Sequence, residues 1–266
     1  MAFTAHQQDE INARVYHSPG VEREYQVSTL TQVEALALLR HKEAFAERDV
    51  LDVGVGTGRT SNYLAPLARR YEGIDYSPVM VEHLKTHRPM LSVRLADMRD
   101  LSAFGDASFD FMLASNNVID AVNEEGRERT LREAARVLRP GGMLMLSSHN
   151  RQLAGALSAP RPARSRNVAR QALHLSRWVR DIVNYTRFAP AREVHADHAL
   201  LTDEGHHHAC LHYYVTQEYE RRQLHENGFE VLEVLDERGV VLPPDDGAPD
   251  SASLMYVSRR VGGSLR

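Results

Sequence analysis

Cysteine is nearly absent from this chain of 266 residues, and its single cysteine, Cys210, cannot form an internal disulfide bond. Such a composition is typical of proteins from a reducing compartment. The sequence also lacks any stretch approaching the ~20 apolar residues of a membrane-spanning helix. Its polar start, Met1 to Asn12, has no apolar segment like that of a signal peptide. We therefore expect a cytoplasmic protein without a membrane partner.

A surplus of positive charge is missing as well. The formal net charge is −4, from 32 basic and 36 acidic residues, which argues against whole-surface attraction to nucleic acid or anionic lipid. Apolar residues make up 42% of the chain, as in globular proteins. The length is near the upper limit for one domain, and we expect a single domain over residues 1–266.

Short apolar strands alternate with amphipathic helical stretches between residues 50 and 149, which is typical of a parallel sheet with crossover helices. Ser77 followed by Pro78 indicates the start of one helix, and a second is predicted over Glu124–Leu138. Another helix, Gln217–Glu226, precedes two closing strands. The seven predicted strands are Val50–Val55, Tyr71–Asp75, Val93–Ala96, Phe109–Ala114, Met143–Ser148, Phe229–Leu235 and Leu254–Ser258.

The segment 151–216 has a different composition and is expected to be an insertion that covers a site. Its part up to Arg192 holds nine arginines, no lysine and a single acid. Apolar residues recur at helical spacing from Val168 to Ile182, which predicts a helix with the arginines off its apolar face. The arginines have three possible roles: they solvate a lid helix, attract an anionic substrate, or bind nucleic acid.

A β-hairpin is predicted after this helix, with strands Glu193–Leu201 and His206–Thr216 around a turn at Thr202–Gly205. Strand alternation would place His206, His208 and His212 on one face. No carboxylate and histidine spacing marks a metal site there, so we expect no metal. The aromatic residues at the end of the hairpin are alternatively part of an acceptor pocket or of ordinary strand packing.

The strongest motif is a glycine loop, Leu51-Asp52-Val53-Gly54-Val55-Gly56-Thr57-Gly58, which follows the first strand. Glycines let the chain turn sharply and let a ligand approach the backbone. The third glycine comes one residue earlier than in the dinucleotide motif G-x-G-x-x-G. A carboxylate before the first glycine would repel a pyrophosphate but suits a cofactor with a cationic amino end. The spacing therefore favours S-adenosylmethionine (SAM) over NAD, and no phosphate-binding P-loop motif is present.

Residues 50–149 resemble class I SAM-dependent methyltransferases. The resemblance rests on the glycine loop and on four further stretches in the same order. It implies a Rossmann-like, doubly wound, mostly parallel seven-stranded sheet with helices on both faces. It also implies an N-terminal helical lid over residues 1–43, a SAM-binding core over 44–150 and closing elements over 217–266. The stretches are Gly73-Ile74-Asp75-Tyr76-Ser77, Ala96-Asp97-Met98, Phe109-Asp110-Phe111 and Arg136–Gly142.

The resemblance also implies the residues that bind SAM. Asp52 would lie near the amino end, Asp75 would accept the ribose hydroxyls and Tyr76 would pack on the adenine. Asp97 would accept the adenine amino group, with Met98 offering its backbone N–H. Further contacts would come from the glycine loop, from the residue after the fourth strand and from two lid tyrosines, which are alternatively packing residues of a helix: Gly54, Gly56, Gly58, Asn116, Tyr16 and Tyr25.

The candidate catalytic residues are His149, Asn150 and Asn117, because they follow the fifth and fourth strands, where such sheets bind ligands. His149 would act as a base or position the acceptor; its alternative is a structural histidine. Asp120 is expected to cap a helix or loop rather than to take part. The residues after the fourth strand, Ser115–Val118, lack the N-P-P-[YF] signature of enzymes that methylate nucleobase amines.

The sequence therefore predicts an enzyme that moves the methyl group of SAM to a nitrogen or oxygen of a small molecule, as a monomer or homodimer and without nucleic acid. Two other classes stay open at this point. One is a protein that binds SAM, or a partner subunit, without turnover. The other is an NAD(P)-dependent oxidoreductase.

Overall fold

The computed structural model describes residues 5–26 and 29–262. The remaining parts of the predicted terminal segments, 1–4, 27–28 and 263–266, lie outside the described residues. The helices are α1 (Ala5–Tyr16), α2 (Gln32–Arg40), α3 (Ser61–Leu64), α4 (Pro78–His87), α5 (Glu124–Val137), α6 (Val168–Arg187) and α7 (Gln217–Glu226). The strands are β1 (Asp49–Val53), β2 (Arg70–Asp75), β3 (Val93–Leu95), β4 (Phe109–Ala114), β5 (Leu138–Asn150), β6 (Glu193–Val194), β7 (His198–Leu201), β8 (His212–Val215), β9 (Phe229–Leu235) and β10 (Ser253–Arg260). No described helix is long and apolar enough to cross a bilayer.

Seven strands form the central sheet in the order β3-β2-β1-β4-β5-β10-β9. The first five run parallel, whereas β10 runs antiparallel to both of its neighbours. From β1 the chain adds β2 and then β3 towards one edge of the sheet. It then returns to place β4 on the opposite side of β1, within the plane of the sheet. Open α/β sheets bind their ligands beside such a reversal, at the carboxyl ends of the strands. The predicted Rossmann-like sheet is confirmed.

Apolar residues on both sides of the central strands bury the sheet between two helical layers. Leu51 and Met112 face a cluster that includes residues of α5 and α7. Val50 and Phe111 face a second cluster, which includes residues of α2 and α3. Because successive strand residues point to opposite faces, continuous apolar runs such as those of β1 and β4 indicate strands covered on both sides.

Three further strands, β6–β8, extend the sheet to ten. β8 pairs in parallel with the last two residues of β5, His149 and Asn150. β10 already occupies one edge of β5, and β4 pairs with the other edge as far as Leu146. β8 therefore continues beyond the end of β4, so that β6–β8 lie at the carboxyl edge of the sheet, where the site is expected.

The hairpin was predicted to have a short turn at Thr202–Gly205, and this part of the prediction is wrong. β7 and β8 are antiparallel, but a loop over residues 202–211 joins them. The Asp203 carboxylate accepts a hydrogen bond from Gly205 N at 3.0 Å and starts a 3₁₀ turn at Glu204–His206. His207 and His208 follow in the left-handed region. The predicted alternation of the histidines fails because three of them lie in this loop rather than in a strand.

The N-terminal helix α1 is fixed by the side chain of Asn12, which is buried. Its amide nitrogen donates to the carbonyl oxygens of Ala121 and Leu211, at 2.8 Å in each case, and its amide oxygen accepts from Leu211 N at 2.9 Å. One side chain thus joins α1 to the segment after β4 and to the loop before β8. This arrangement places the end of α1 over the carboxyl edge of the sheet.

A fully buried arginine, Arg127 of α5, links α5 to α7 and to the segment after β4. Its guanidinium is paired with the carboxylates of Asp120 and Glu220 and donates to Gln223 Oε1 at 3.2 Å. Burial raises the pKa of Glu220 to about 6. Removing the cation would leave two carboxylates buried together, which is far costlier than losing an exposed ion pair.

We expect Arg127→Met to lower the free energy of unfolding by about 3–5 kcal/mol, measured by urea denaturation. The loss should shrink as the pH is lowered towards about 6, because Glu220 without the cation takes up its proton at a higher pH than it does beside Arg127. The matched control is Arg132→Met on the same helix, whose exposed pair with Glu128 should contribute about 0.5 kcal/mol or less. Equal effects of the two substitutions would contradict this account.

Candidate functional site

The glycine loop closes the end of β1 as predicted. Gly54, Gly56 and Gly58 all have positive φ angles, of 67°, 52° and 86°. At Gly54 a Cβ atom would also lie 2.2 Å from the side chain of Val118, so this position combines an unusual backbone with a close approach. The loop can pack this closely against the segment after β4 because Gly54 has no side chain.

Asp75, the last residue of β2, holds the glycine loop in place. Its carboxylate accepts hydrogen bonds from Gly56 N and Ser77 N, both at 2.8 Å. The group is buried, and burial raises its pKa to about 6 although the backbone N–H groups act in the opposite direction. Asp75 lines both cavities described below, and such a carboxylate can accept both hydroxyls of a ribose.

Asp52, the second acid of the loop region, is also buried. Its carboxylate accepts hydrogen bonds from the hydroxyls of Thr60 and Tyr71, at 2.8 Å each. Burial raises the pKa of Asp52 to about 6 in spite of these donors. A cationic amino group beside it would favour its charged form, so the arrangement suits a ligand with an ammonium group.

Two cavities meet at the glycine loop and share Gly54, Asp75 and Tyr76 in their walls. The smaller, of about 250 Å³, extends to the end of β3 and is lined there by Asp97 and Met98. The larger, of about 330 Å³, extends over the carboxyl ends of β4 and β5. Their positions suit the adenosine and the methionine parts of one ligand.

The Asp97 carboxylate, which was expected to accept a hydrogen bond from the adenine amino group, already forms an ion pair within the protein. It is paired with Arg99, whose Nη2 lies 2.7 Å from Oδ2, and Arg99 also reaches Asp9 of α1 at 2.6 Å. Burial acts to raise the pKa of Asp97, but the bonds from Arg99 lower it. The carboxylate therefore stays charged. Arg99, which the sequence reasoning missed, ties the adenine end of the site to α1.

The two lid tyrosines lie in the wall of the larger cavity, and each is bonded to a histidine. The Tyr16 hydroxyl lies 2.9 Å from His212 Nε2, and the Tyr25 hydroxyl lies 2.6 Å from His206 Nε2. The backbone carbonyl of Tyr16 also accepts from Ser77 Oγ at 2.6 Å. The lid segment therefore bridges the cofactor loops and the inserted strands.

Two asparagines follow β4, both with φ in the left-handed region, at 56° for Asn116 and 59° for Asn117. Ser147 Oγ accepts a hydrogen bond from Asn117 N at 2.7 Å. The side-chain oxygen of Asn117 is buried and has no hydrogen-bond partner in the structure. Both residues line the larger cavity, and this oxygen is available to a ligand that donates a hydrogen bond.

His149 is oriented by Asp120, which is fully buried and is more than the cap we expected. Asp120 Oδ2 lies 2.8 Å from His149 Nδ1 and accepts from the backbone N–H of His149 at 2.6 Å. Asp120 Oδ1 accepts from Ser148 Oγ at 2.6 Å and is also paired with Arg127. Because Asp120 occupies Nδ1, the other ring nitrogen of His149, Nε2, is left on the cavity side. Histidines that transfer protons are held in the same way.

A further acid, Asp203, lies opposite His149 and was missed because its neighbourhood was predicted to be a simple turn. Its Oδ2 is hydrogen-bonded to His212 Nδ1 and lies 3.4 Å from His149 Nε2. Burial opposes ionisation of Asp203, but the facing histidines lower its pKa well below the usual range. Burial likewise opposes the charge on His212, yet Asp203 raises its pKa above the ordinary value. The run of histidines around Asp203 was the only sequence signal.

Asn150 lines neither of the two cavities, and its predicted catalytic role stays a prediction. Its side chain is buried, and its amide nitrogen donates to three backbone carbonyl oxygens, those of Gly247, Ala248 and Ser251, at 2.9–3.0 Å. Its amide oxygen accepts from Gln152 N at 2.9 Å. Asn150 therefore fixes the loop before β10, and both the nitrogen and the oxygen of its side-chain amide are hydrogen-bonded within the protein.

Among the described residues, one cluster of side chains has possible ligand atoms close enough to hold a metal ion. These atoms belong to His149, Asp203 and His212 and lie within 4.8 Å of one another. The hydrogen bonds above already account for their arrangement, since Asp203 pairs with one histidine and faces the other. The expectation that no metal takes part stays a prediction.

Comparison with known proteins covers the part of the chain that contains the glycine loop. Residues 50–142 match the family model of a methyltransferase domain. A probable S-adenosylmethionine-dependent methyltransferase of Mycolicibacterium smegmatis is 35% identical over 106 residues, which are 40% of this chain and 40% of that protein. A ubiquinone biosynthesis O-methyltransferase of Xanthomonas oryzae is 35% identical over 106 residues, 38% of this chain and 43% of that protein.

The fold has solved counterparts as well. The 1,6-didemethyltoxoflavin-N1-methyltransferase of Burkholderia thailandensis, with bound S-adenosylhomocysteine, has a TM-score of 0.58 at 13% identity, over 98% of this chain and 92% of that chain. Residues 50–142 thus have the sequence features of a methyltransferase domain, and the M. smegmatis relative that matches this chain is named as SAM-dependent. The chain spans about two fifths of the length of the curated relatives. His149, Asp203 and His212 follow the part of the methyltransferase domain that the family model covers.

Replacing Asp75 should weaken the binding of S-adenosylhomocysteine. We expect Asp75→Ala to cost roughly 1–3 kcal/mol in a calorimetric titration, the loss of a charged hydrogen-bond partner. The wild-type affinity should fall as the pH drops through about 6, because the pKa of Asp75 is raised to about 6 and the protonated carboxyl accepts less well.

The matched control is the exposed acid Asp250, whose change to alanine should leave the affinity unchanged. The Asp75 variant should also show a smaller pH effect than the wild type. An unchanged affinity in the Asp75 variant would show that this carboxylate does not hold the ligand.

Proposed function

We propose that this protein transfers the methyl group of SAM to a nitrogen or oxygen of a small-molecule acceptor. One observation carries the proposal: the cavity beside the glycine loop continues without interruption to His149, Asp203 and His212. Cofactor residues and groups able to handle a proton thus line one space. A methyl donor and an acceptor bound in that space would be neighbours.

In this proposal each group of the chain has a separate task. Asp75 would accept the ribose hydroxyls, and Asp52 would face the amino end of the cofactor. Asn116 and Asn117 would lie beside the sulfonium, where the unpartnered oxygen of Asn117 favours a ligand with a donor group. The lid tyrosines and β6–β8 would exclude water, which strengthens these contacts and prevents hydrolysis.

The transfer itself is a displacement at the methyl carbon. The bond between carbon and sulfur breaks, and its electron pair stays on the sulfur of S-adenosylhomocysteine. The acceptor supplies the electron pair of the new bond. A hydroxyl or a protonated amine must also lose a proton, and His149 would take it at Nε2. Asp120 would stabilise the imidazolium that results, since its carboxylate is hydrogen-bonded to Nδ1.

A small acceptor is favoured by the limited volume of the cavity, about 330 Å³. Tyr16 and Tyr25 close it from one side and are hydrogen-bonded to His212 and His206 on the other. The names of the similar proteins include an O-methyltransferase and an N1-methyltransferase, which supports this substrate class without selecting the atom. The single domain, the cytoplasmic location and the monomeric or homodimeric state stay predictions.

The direct test is transfer of a radiolabelled methyl group from SAM into low-molecular-weight fractions of a cell extract. We expect label to enter an extractable small molecule only when the protein is present. Protein-dependent label that appears in macromolecules alone would contradict a small acceptor. Binding of the cofactor without transfer to any fraction would favour a non-catalytic SAM-binding protein.

We expect His149→Gln to lower kcat by about 10²–10⁴-fold for a hydroxyl acceptor, since general-base catalysis typically contributes that much. The affinity for S-adenosylhomocysteine should change little. The control is His198→Gln, because His198 pairs with Asp197 and lies outside the cavity wall. A chelator such as EDTA should leave the rate unchanged if His149 acts as a base. A rate lost with EDTA and restored by a divalent cation would contradict the proton-transfer role.

A further inference from the structure

Helix α6 meets the rest of the protein through polar and aromatic side chains. Trp178 Nε1 donates to the carbonyl oxygen of Pro160 at 3.0 Å, and Asn184 Nδ2 donates to that of His207 at 2.8 Å. Asp181 Oδ1 lies 2.8 Å from His207 Nδ1. These residues recur at helical spacing and mark one face of α6, which contacts the loop before β8.

The sequence predicts a lid helix with the arginines off its apolar face, and the apolar stripe of a surface helix ordinarily packs on the protein core. Instead the stripe faces solvent: Val168 is 85% exposed, Leu175 49%, Val179 50% and Val183 57%. None of the twenty residues of α6, all of which the structure describes, is buried. From Val168 to Val183 the stripe runs about 22 Å along the helix. Water-exposed apolar surface of this length is costly unless something covers it.

Positive charge flanks this stripe. Arg180 and Arg187 are exposed and lie beside the apolar stripe, three residues before and four residues after Val183. No ion pair involves either of these two arginines within the described part of the chain. The one acid of the helix, Asp181, lies on the inner face against His207. The outward side of α6 therefore combines an apolar stripe with uncompensated cations.

We propose that α6 docks this protein onto an anionic lipid bilayer, lying in the plane of the interface. The apolar stripe enters the boundary between headgroups and acyl chains, and the arginines contact the lipid phosphates. The low net charge of the whole chain does not oppose this, because attraction at a surface acts over about a Debye length, ~10 Å, and is decided by local charge. The expectation of no membrane partner rested on the lack of a membrane-spanning stretch and on the whole-chain charge, and neither of these bears on a helix that lies in the interface.

Two other partners, a second copy of the chain and a nucleic acid, would complement the outward side of α6 less well. A second copy of the chain, paired through the same stripe, would bring the two sets of arginines towards each other without acids between them. Nucleic acid would satisfy the arginines but would leave the apolar stripe in water. A bilayer with anionic headgroups satisfies both parts of the surface at once.

Docking through α6 would also place the bilayer near the rim of the cavity. The loop that receives Asn184 and Asp181 of α6 is the one that carries Asp203 and His206, both of which line the cavity. A lipid-soluble acceptor could then reach the site from the membrane side. This consequence rests on the proposed function, whereas docking itself does not.

The test is sedimentation of the full chain with vesicles of phosphatidylcholine, alone or with about 30 mol% phosphatidylglycerol. We expect binding to the anionic vesicles only, weakened by salt. Leu175→Asp with Val179→Asp should reduce it at least about tenfold, because charge replaces the apolar anchor. Arg180→Gln with Arg187→Gln should reduce it as well. The matched control is Leu39→Asp, at a leucine on α2 that is 73% exposed, and it should bind as the wild type does.

Folding of each variant is checked by its affinity for S-adenosylhomocysteine, which should stay within about twofold of wild type for these surface changes. No binding to anionic vesicles, or binding that the Leu175 and Val179 changes leave intact, would overturn the proposal. So would a wild-type dimer in light scattering that the same changes dissociate, since a second copy would then cover the stripe. None of these measurements depends on methyl transfer, so docking and catalysis fail or hold separately.

Discussion

The Asp75 carboxylate is the contact on which the arrangement of the cofactor site depends. It joins the loop after β1 to the turn after β2 through two backbone N–H groups. Burial raises the pKa of the group to about 6, so its charge is held at a cost that a ligand with hydroxyl donors would offset. The same residue thus fixes the loop and is left ready to bind a ribose.

A second buried carboxylate, Asp120, has a similar place on the acceptor side. It accepts from His149 and Ser148 and pairs with Arg127, which in turn binds Glu220. The orientation of His149 is therefore set by a network that also holds α5 and α7 together. Stability and the proposed chemistry depend here on the same charges, as is common where polar groups are buried at an active site.

The sequence predicts the part of the molecule in which local pattern decides structure. The glycine loop, Asp52 and Asp75 follow from their positions at strand ends, and the helix begun by Ser77 follows from its cap. The central sheet follows from alternating apolar strands. These features depend on neighbours in the chain or on a periodic pattern, and both are visible without coordinates.

The rest depends on contacts between distant segments, which a pattern does not contain. Asn150 is adjacent to His149 in the sequence, but its amide nitrogen is hydrogen-bonded to carbonyl oxygens of the loop before β10. Asp203 looked like a turn residue and instead pairs with His212 and faces His149. Helix α6 has the expected periodicity, but its polar face is the one that packs, because its hydrogen-bond partners lie in the loop before β8.

The most direct test of the central claim is a crystal structure of the protein with S-adenosylhomocysteine. We expect both ribose hydroxyls on the Asp75 carboxylate, the amino end towards Asp52, and the sulfur facing the part of the cavity lined by His149. A ligand bound elsewhere, or protein side chains that occupy the space beside the glycine loop, would contradict the account.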